Sequence, residues 1–209
     1  MPKILEGFVA RLTALGGGSG DSKDVYEDWA PTYERNLQED YGYIAPNIAV
    51  DMFEAYCVDK ATPILDLGCG TGLVGQELWE RGYRNIDGLD ISPKMLNEAR
   101  DKGIYTELIT SDMTQPIDIS GREYGAAIGV GCFGGGHLGP NHLPGLIRTV
   151  RIYGLLVFFI NGIPYREDDY PRHFKALEEQ GGWRVLKTEE ANYMQVLDRP
   201  GWVVVGHRT

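Results

Sequence analysis

The stretch "ILDLGCGTGLVG", Ile64 to Gly75, decides the fold: an apolar strand, ILDL, runs into glycines at 68, 70 and 72, and residues of helical habit follow. Glycine's freedom lets the backbone turn sharply there and present its amides to a ligand at the start of a helix. In an open α/β sheet such a turn lies at the carboxyl edge of the strands, where ligands bind. By spacing alone Gly70, Gly72 and Gly75 also satisfy G-x-G-x-x-G, the dinucleotide fingerprint. The residues before them depart from it, because Asp66 and Gly68 extend the run to D-x-G-x-G-x-G. A carboxylate at a strand end suits an ammonium and suits a pyrophosphate poorly, so an adenosyl-type ligand is expected there.

Outward from this turn the chain alternates. A helix is predicted from about Gly72 to Arg81, then a strand "NIDGLD", a helix with Ser92 as N-cap and Pro93 in its first turn, and a strand near "IYTELIT". "YGAAIGVG" (Tyr124 to Gly131) and "GLLVFFI" are strands apolar enough to be buried on both faces, with a helix "NHLPGLIRTV" between them. This alternation specifies a parallel sheet. "WRVLKTEEANYMQVL" and "WVVVGHR", separated by the turn sequence "DRPG", read as an antiparallel hairpin that finishes it. The expected fold class is α/β, a Rossmann-like three-layer sandwich.

Upstream, a helix runs from about Pro46 to Cys57, and before it Tyr26, Trp29 and Tyr33 share one helical face that Pro31 bends. Ile4, Leu5, Phe8, Val9 and Leu12 mark an amphipathic segment that "GGGSG", Gly16 to Gly20, ends as a flexible tract. The organisation expected is a segment and hinge over 1–20 and a single domain over 21–209, with a helical lid over 21–60 and a core over 61–209.

A chain of 209 residues, 43% hydrophobic and 24% charged, has the balance of one globular domain. Its net charge of -10, with the basic residues scattered, argues against a general nucleic-acid binder. Cys57, Cys69 and Cys132 have neither disulfide nor zinc-ligand spacing, and no carboxylate and histidine cluster has ligand spacing either, so no metal is expected and the cytoplasm is the expected compartment. The longest apolar run, "LLVFFI", is one strand long, and Glu6 and Arg11 interrupt the N-terminal apolar stretch, so neither membrane span nor export signal is expected.

Two further strands end in acids. Asp90, in "GLDIS", is placed to accept both hydroxyls of a ribose, with Ile91 offering an apolar face to adenine. Asp112, in "SDM", is placed for the adenine amino group, with Met113 against the ring. With "ILDLGCGTG", these motifs resemble those of the class I S-adenosylmethionine-dependent methyltransferases. "YEDWAPTYERN", "GLDISPKMLNEAR" and "GVGCFGGGHLGP" are more closely similar to the branch named after the Williams-Beuren syndrome region. The resemblance covers Tyr26 to the C-terminus. It implies a seven-stranded sheet with S-adenosylmethionine across its carboxyl edge, Gly68, Cys69, Gly70 and Gly72 on the methionine and ribose part, Asp90 on the ribose, Asp112 on the adenine and Gly131 beside the cofactor. "RIYGLL" departs from the family pattern, with one glycine, Gly154, in place of the usual proline and paired glycine.

Methyl transfer from a sulfonium needs alignment and exclusion of water, and a base only when the acceptor must lose a proton. His137, in the glycine-rich stretch after the fourth strand, is the candidate base, with a purely structural hydrogen-bonding role as the alternative. Tyr33 is a candidate for the cofactor carboxylate. Tyr26, Trp29, Phe133, Tyr165, Arg166 and Tyr170 are candidates for the acceptor pocket, or else packing and loop residues. The D/N-P-P-Y motif of base amino methyltransferases is missing, as are the paired glutamates of arginine methyltransferases, so a small-molecule acceptor is favoured. Two rivals are a non-catalytic S-adenosylmethionine binder acting through partners and a nicotinamide oxidoreductase. Oligomeric state is not legible.

Overall fold

Strand β1, Ile64–Leu67, is buried at all four positions, as a strand covered on both faces should be. In a computed structural model, which describes residues 33–35, 37, 42–134, 137–196 and 198–209 and Tyr33 by its backbone only, β1 lies inside the sheet, third of its seven strands. It pairs in parallel with β2 (Ile86–Asp90) and β4 (Tyr124–Val130). β3 (Glu107–Thr110) continues beyond β2 and β5 (Val150–Asn161) beyond β4, also in parallel. β7 (Arg199–His207) is antiparallel to β5 and to β6 (Arg184–Met194), so the seven strands run β3-β2-β1-β4-β5-β7-β6. This is the α/β Rossmann-like sheet with a C-terminal antiparallel hairpin that the alternation specified. The strand order reverses between β1 and β4, the place where such sheets bind ligands.

Two cores flank the sheet. On one face α1 (Ala45–Tyr56) and α2 (Leu73–Glu80) bury Ala49, Val50, Phe53, Val74 and Leu78 against Ile64, Ile86 and Ile128. On the other, Leu65, Leu67 and Leu89 meet α4 (Leu143–Ile147), α5 (Gly162–Glu167) and α6 (Tyr170–Glu179). α3 (Pro93–Asp101) packs on β2 and β3. Its cap is the one the sequence specified: the Met95 amide donates to Ser92 Oγ at 3.3 Å.

Three readings are corrected. The hairpin turn takes in only Asp198 of "DRPG", since Arg199, Pro200 and Gly201 already pair within β7. Gly201 is glycine for packing: a Cβ there would lie 2.5 Å from Phe159 Cε1. The helix expected across "NHLPGLIRTV" shrinks to a 3-10 turn at Pro140–His142 and the short α4. β5 then begins at Val150, earlier than "GLLVFFI" suggests, and its register against β4 shifts between Tyr124 and Ala126. At that irregularity Tyr153 takes φ 62°, a left-handed conformation costly for a bulky residue, and Gly154 has no room for a Cβ, with Arg151 O at 2.8 Å. The C-terminal segment holds this bulge, Tyr153 N donating to Arg208 O and Arg208 N to Gly154 O.

The amphipathic segment, the "GGGSG" tract, Tyr26 and Trp29 lie outside the described residues. Of the expected lid, α1 is present, together with a helical turn at Tyr33–Arg35 that Lys102 fastens through a 2.6 Å ion pair to Glu34. Among the described residues no helix is long and apolar enough to cross a membrane, and no group of His, Cys, Asp and Glu side chains is placed to hold a metal.

Candidate functional site

The glycine turn leaves β1 by hooking onto β2, the amides of Gly68 and Cys69 both donating to Leu89 O at 2.8 and 2.9 Å. Gly68, Gly70 and Gly72 all have positive φ, so a side chain at any of them would strain the turn. Their surroundings differ. A Cβ at Gly68 would lie 2.9 Å from Cys132 Cβ and 3.2 Å from Met113 Cε, whereas at Gly70 it would meet nothing within 4 Å. Gly70 is therefore the open side of the turn, and its amide is held by the Asp90 carboxylate at 2.9 Å.

The three acidic strand ends are brought to this one edge. Asp90 accepts from Gly70 N through Oδ2 and from Ser92 N through Oδ1. Burial raises its carboxyl above the usual range, against the pull of the Ser92 and Gly70 amides. Asp112 forms a turn with Thr114, whose amide and hydroxyl reach Oδ1 at 2.9 and 2.7 Å. Asp66 is 1% exposed. Its Oδ2 accepts from the Tyr105 hydroxyl at 2.6 Å, and burial pushes its carboxyl up to about 7, Tyr105 lowering and Asp90 raising it.

Sequence reasoning missed Tyr105. Its ring fills a notch made by three glycines: a Cβ would lie 2.8 Å from Cε1 at Gly75, 3.1 Å from Cε2 at Gly72 and 3.0 Å from Cε1 at Gly88. The glycine that completes the dinucleotide fingerprint thus makes room for a tyrosine. Tyr43 was also missed; its hydroxyl lies 3.1 Å from where Gly131, with φ 74°, would carry a Cβ, next to the end of β4. No spacing rule finds either tyrosine, because the glycines they meet are scattered along the chain.

The other predicted residues separate into groups. The Cys69 side chain is buried, its Sγ 2.9 Å from where Gly88 would carry a Cβ, so Cys69 offers the site its backbone. Burial raises the Cys69 and Cys132 thiols, which leaves them protonated and poor nucleophiles. His137 is half-buried in a tight loop after β4, its amide donating to Gly134 O at 2.7 Å and Leu138 N to Cys132 O at 3.1 Å. His142 is engaged elsewhere, Nδ1 accepting from Gly139 N at 3.0 Å. Phe133 and Tyr170 pack within the core: Phe133 meets Phe158 and Tyr170 edge-on, and Tyr170, 0% exposed, donates to Leu138 O at 3.1 Å. Tyr165 stacks on Trp202 with ring centroids 4.5 Å apart, and Arg166 covers the same indole while reaching Glu190 at 3.6 Å. Tyr26, Trp29 and the Tyr33 side chain lie outside the described residues.

Two buried polar atoms of the turn, Asp66 Oδ1 and Thr71 Oγ1, have no hydrogen-bond partner among the described residues. Such atoms are rare in native structures and point to a ligand or water. With the open side at Gly70 and three carboxylates at one edge, the turn fits an adenosyl ligand carrying an amino-acid ammonium.

Comparison with known proteins agrees. Residues 64–151 match the family model described as a methyltransferase domain. Human methyltransferase-like protein 27 is 35% identical over 132 residues, 59% of this chain and 51% of that protein. The 18S rRNA (guanine-N(7))-methyltransferase of Bos taurus is 42% identical over 79 residues, 37% of this chain and 28% of that protein. This chain therefore spans about half or less of these curated relatives. In structure, magnesium protoporphyrin IX methyltransferase from Synechocystis PCC 6803 with bound SAH superposes with a TM-score of 0.66 at 16% identity, covering 90% of this chain and 98% of that one. Residues 64–151 thus match a methyltransferase domain and lie within a seven-stranded sheet of the Rossmann-like methyltransferase fold.

Proposed function

We propose that this chain transfers a methyl group from S-adenosylmethionine to an oxygen, nitrogen or sulfur nucleophile on a small molecule. The convergence of Asp66, Asp90 and Asp112 on a glycine turn open at Gly70 carries the reading. When bound, S-adenosylmethionine supplies a methyl on a sulfonium sulfur, which the acceptor displaces in line. Asp66 takes the ammonium, Asp90 the ribose hydroxyls and Asp112 the adenine amino group, with Ile91 and Met113 on the ring faces and Gly131 beside the reacting end. His137, in the loop after β4, accepts the proton of an acceptor that must lose one. Tyr165 and Arg166 border the acceptor side.

The net charge of -10 supports a small acceptor over a polyanion. Three free, buried cysteines support a reducing compartment. The ribosomal-RNA relatives favour a second reading, an RNA base as acceptor, through the part of the chain they share.

Thermal unfolding with S-adenosylmethionine, S-adenosylhomocysteine and NADH at about 100 times Kd tests the cofactor: a ligand that binds adds about 2.7 kcal/mol. A shift with NADH alone would overturn the reading. An acceptor screen following S-adenosylhomocysteine release, with small nucleophiles in one arm and an 18S rRNA fragment in the other, decides the substrate class. His137→Asn should cut turnover about 100-fold while cofactor affinity holds; unaltered turnover removes the base role.

A further inference from the structure

We infer that Tyr105 is a positioning residue for the cofactor: it locks the Asp66 carboxylate in one orientation and leaves Oδ1 as the single oxygen free to meet an ammonium. This rests on the methyltransferase reading above and adds a residue that lies in none of its motifs. Tyr105 comes from the connection between α3 and β3, and its hydroxyl reaches Asp66 Oδ2 at 2.6 Å. The ring cannot drift, because Gly72, Gly75 and Gly88 form a socket that any side chain at those positions would invade. Oδ2 is thus occupied while Oδ1, equally buried, has no partner among the described residues. An acid with one oxygen committed and the other unpaired is ready for a cation rather than satisfied within the fold.

The groups facing Asp66 are Tyr105, Asp90 at the end of the neighbouring β2, the Gly75 amide, and the thiols Cys69 and Cys132. None is a cation. Burial raises the Asp66 carboxyl to about 7, so the folded, cofactor-free protein carries a proton there at pH 6 that it loses above neutrality. An ammonium pairs with the ionised form, so affinity for a ligand bearing one should rise with pH up to about 7 and fall again near 8, where the ligand's own amine loses its proton. The Tyr105 hydroxyl donates to the carboxylate and favours ionisation; without it the rising flank moves to higher pH.

The test is calorimetric titration of S-adenosylhomocysteine from pH 5.5 to 8.5 into wild type, Tyr105→Phe, Asp66→Asn and the double variant. 5′-Methylthioadenosine, which lacks the amino-acid part, serves as the control. The expected result is a rising flank shifted upward in Tyr105→Phe, with about tenfold weaker binding at pH 6, and 5′-methylthioadenosine binding unchanged. Asp66→Asn should abolish the flank, and adding Tyr105→Phe should then change nothing more. A wild-type flank retained in Tyr105→Phe, or equal losses for both ligands, would overturn the positioning role. Failure of wild type to bind any adenosyl ligand would instead overturn the methyltransferase reading.

Discussion

Replacing Gly75 with alanine should destabilise this protein, although the substitution removes a glycine from inside α2. In an open helix the exchange gains about 0.5–1 kcal/mol. Here the new Cβ would sit 2.8 Å from Tyr105 Cε1, well inside contact distance. Neither side can retreat: the helix is anchored by buried Val74 and Leu78, and Tyr105 by its bond to Asp66. Overpacking of that kind costs about 1–3 kcal/mol, so a net loss of about 1–2 kcal/mol is expected, seen as a fall in Tm of about 3–6 °C. The decisive comparison is the same change made in a Tyr105→Ala background, where the socket is empty and Gly75→Ala should stabilise by the ordinary helix-propensity gain. Urea denaturation of the four proteins gives the coupling directly, with about 2 kcal/mol expected. A stabilising Gly75→Ala in the wild-type background, or equal effects in both backgrounds, would refute the reasoning.

Phe133→Ala should cost about 3–5 kcal/mol by denaturant titration, the loss of a core aromatic, whereas a pocket-lining residue would leave stability nearly intact. Tyr153→Gly relieves a positive φ worth about 1–2 kcal/mol but adds freedom to the unfolded chain, so Tm should hold or rise by a few degrees. Lys102→Ala should lower stability by less than about 1 kcal/mol, more at low salt than at high, and the charge-swapped pair Glu34→Lys with Lys102→Glu should recover it.

The first half of the sheet was legible because β1, β2 and β4 are short, apolar runs and acids with one obvious use stand at the strand ends. Asp66, Asp90 and Asp112 stand at or just beyond the carboxyl ends of β1, β2 and β3, and Ser92 with Pro93 is a cap that needs no tertiary contact to be read. What escaped was set across the sheet rather than along the chain. Gly201 looks like part of a turn until Phe159 is found in its Cβ space, and Gly75 looks like a phosphate glycine until Tyr105 is found in its own. Phe133 and Tyr170 sit in stretches rich in glycine and charge, which read as loops, yet their rings pack into one face of the sheet.

β7 is made after β6 but lies between β6 and β5. While the ribosome is still synthesising the hairpin, β5 presents an unpaired edge along Leu155–Ile160, among the most apolar segments of the chain. At about 5–20 residues per second that edge stays open for several seconds, long enough for β-type association with a neighbouring chain. β6 emerges first and can lie against β5 in the place β7 must later take, so β7 has to displace its own hairpin partner or wait for it to leave. The yield of native protein in the cell is therefore expected to depend on chaperone supply while β6 and β7 are being made, more than its equilibrium stability alone would suggest.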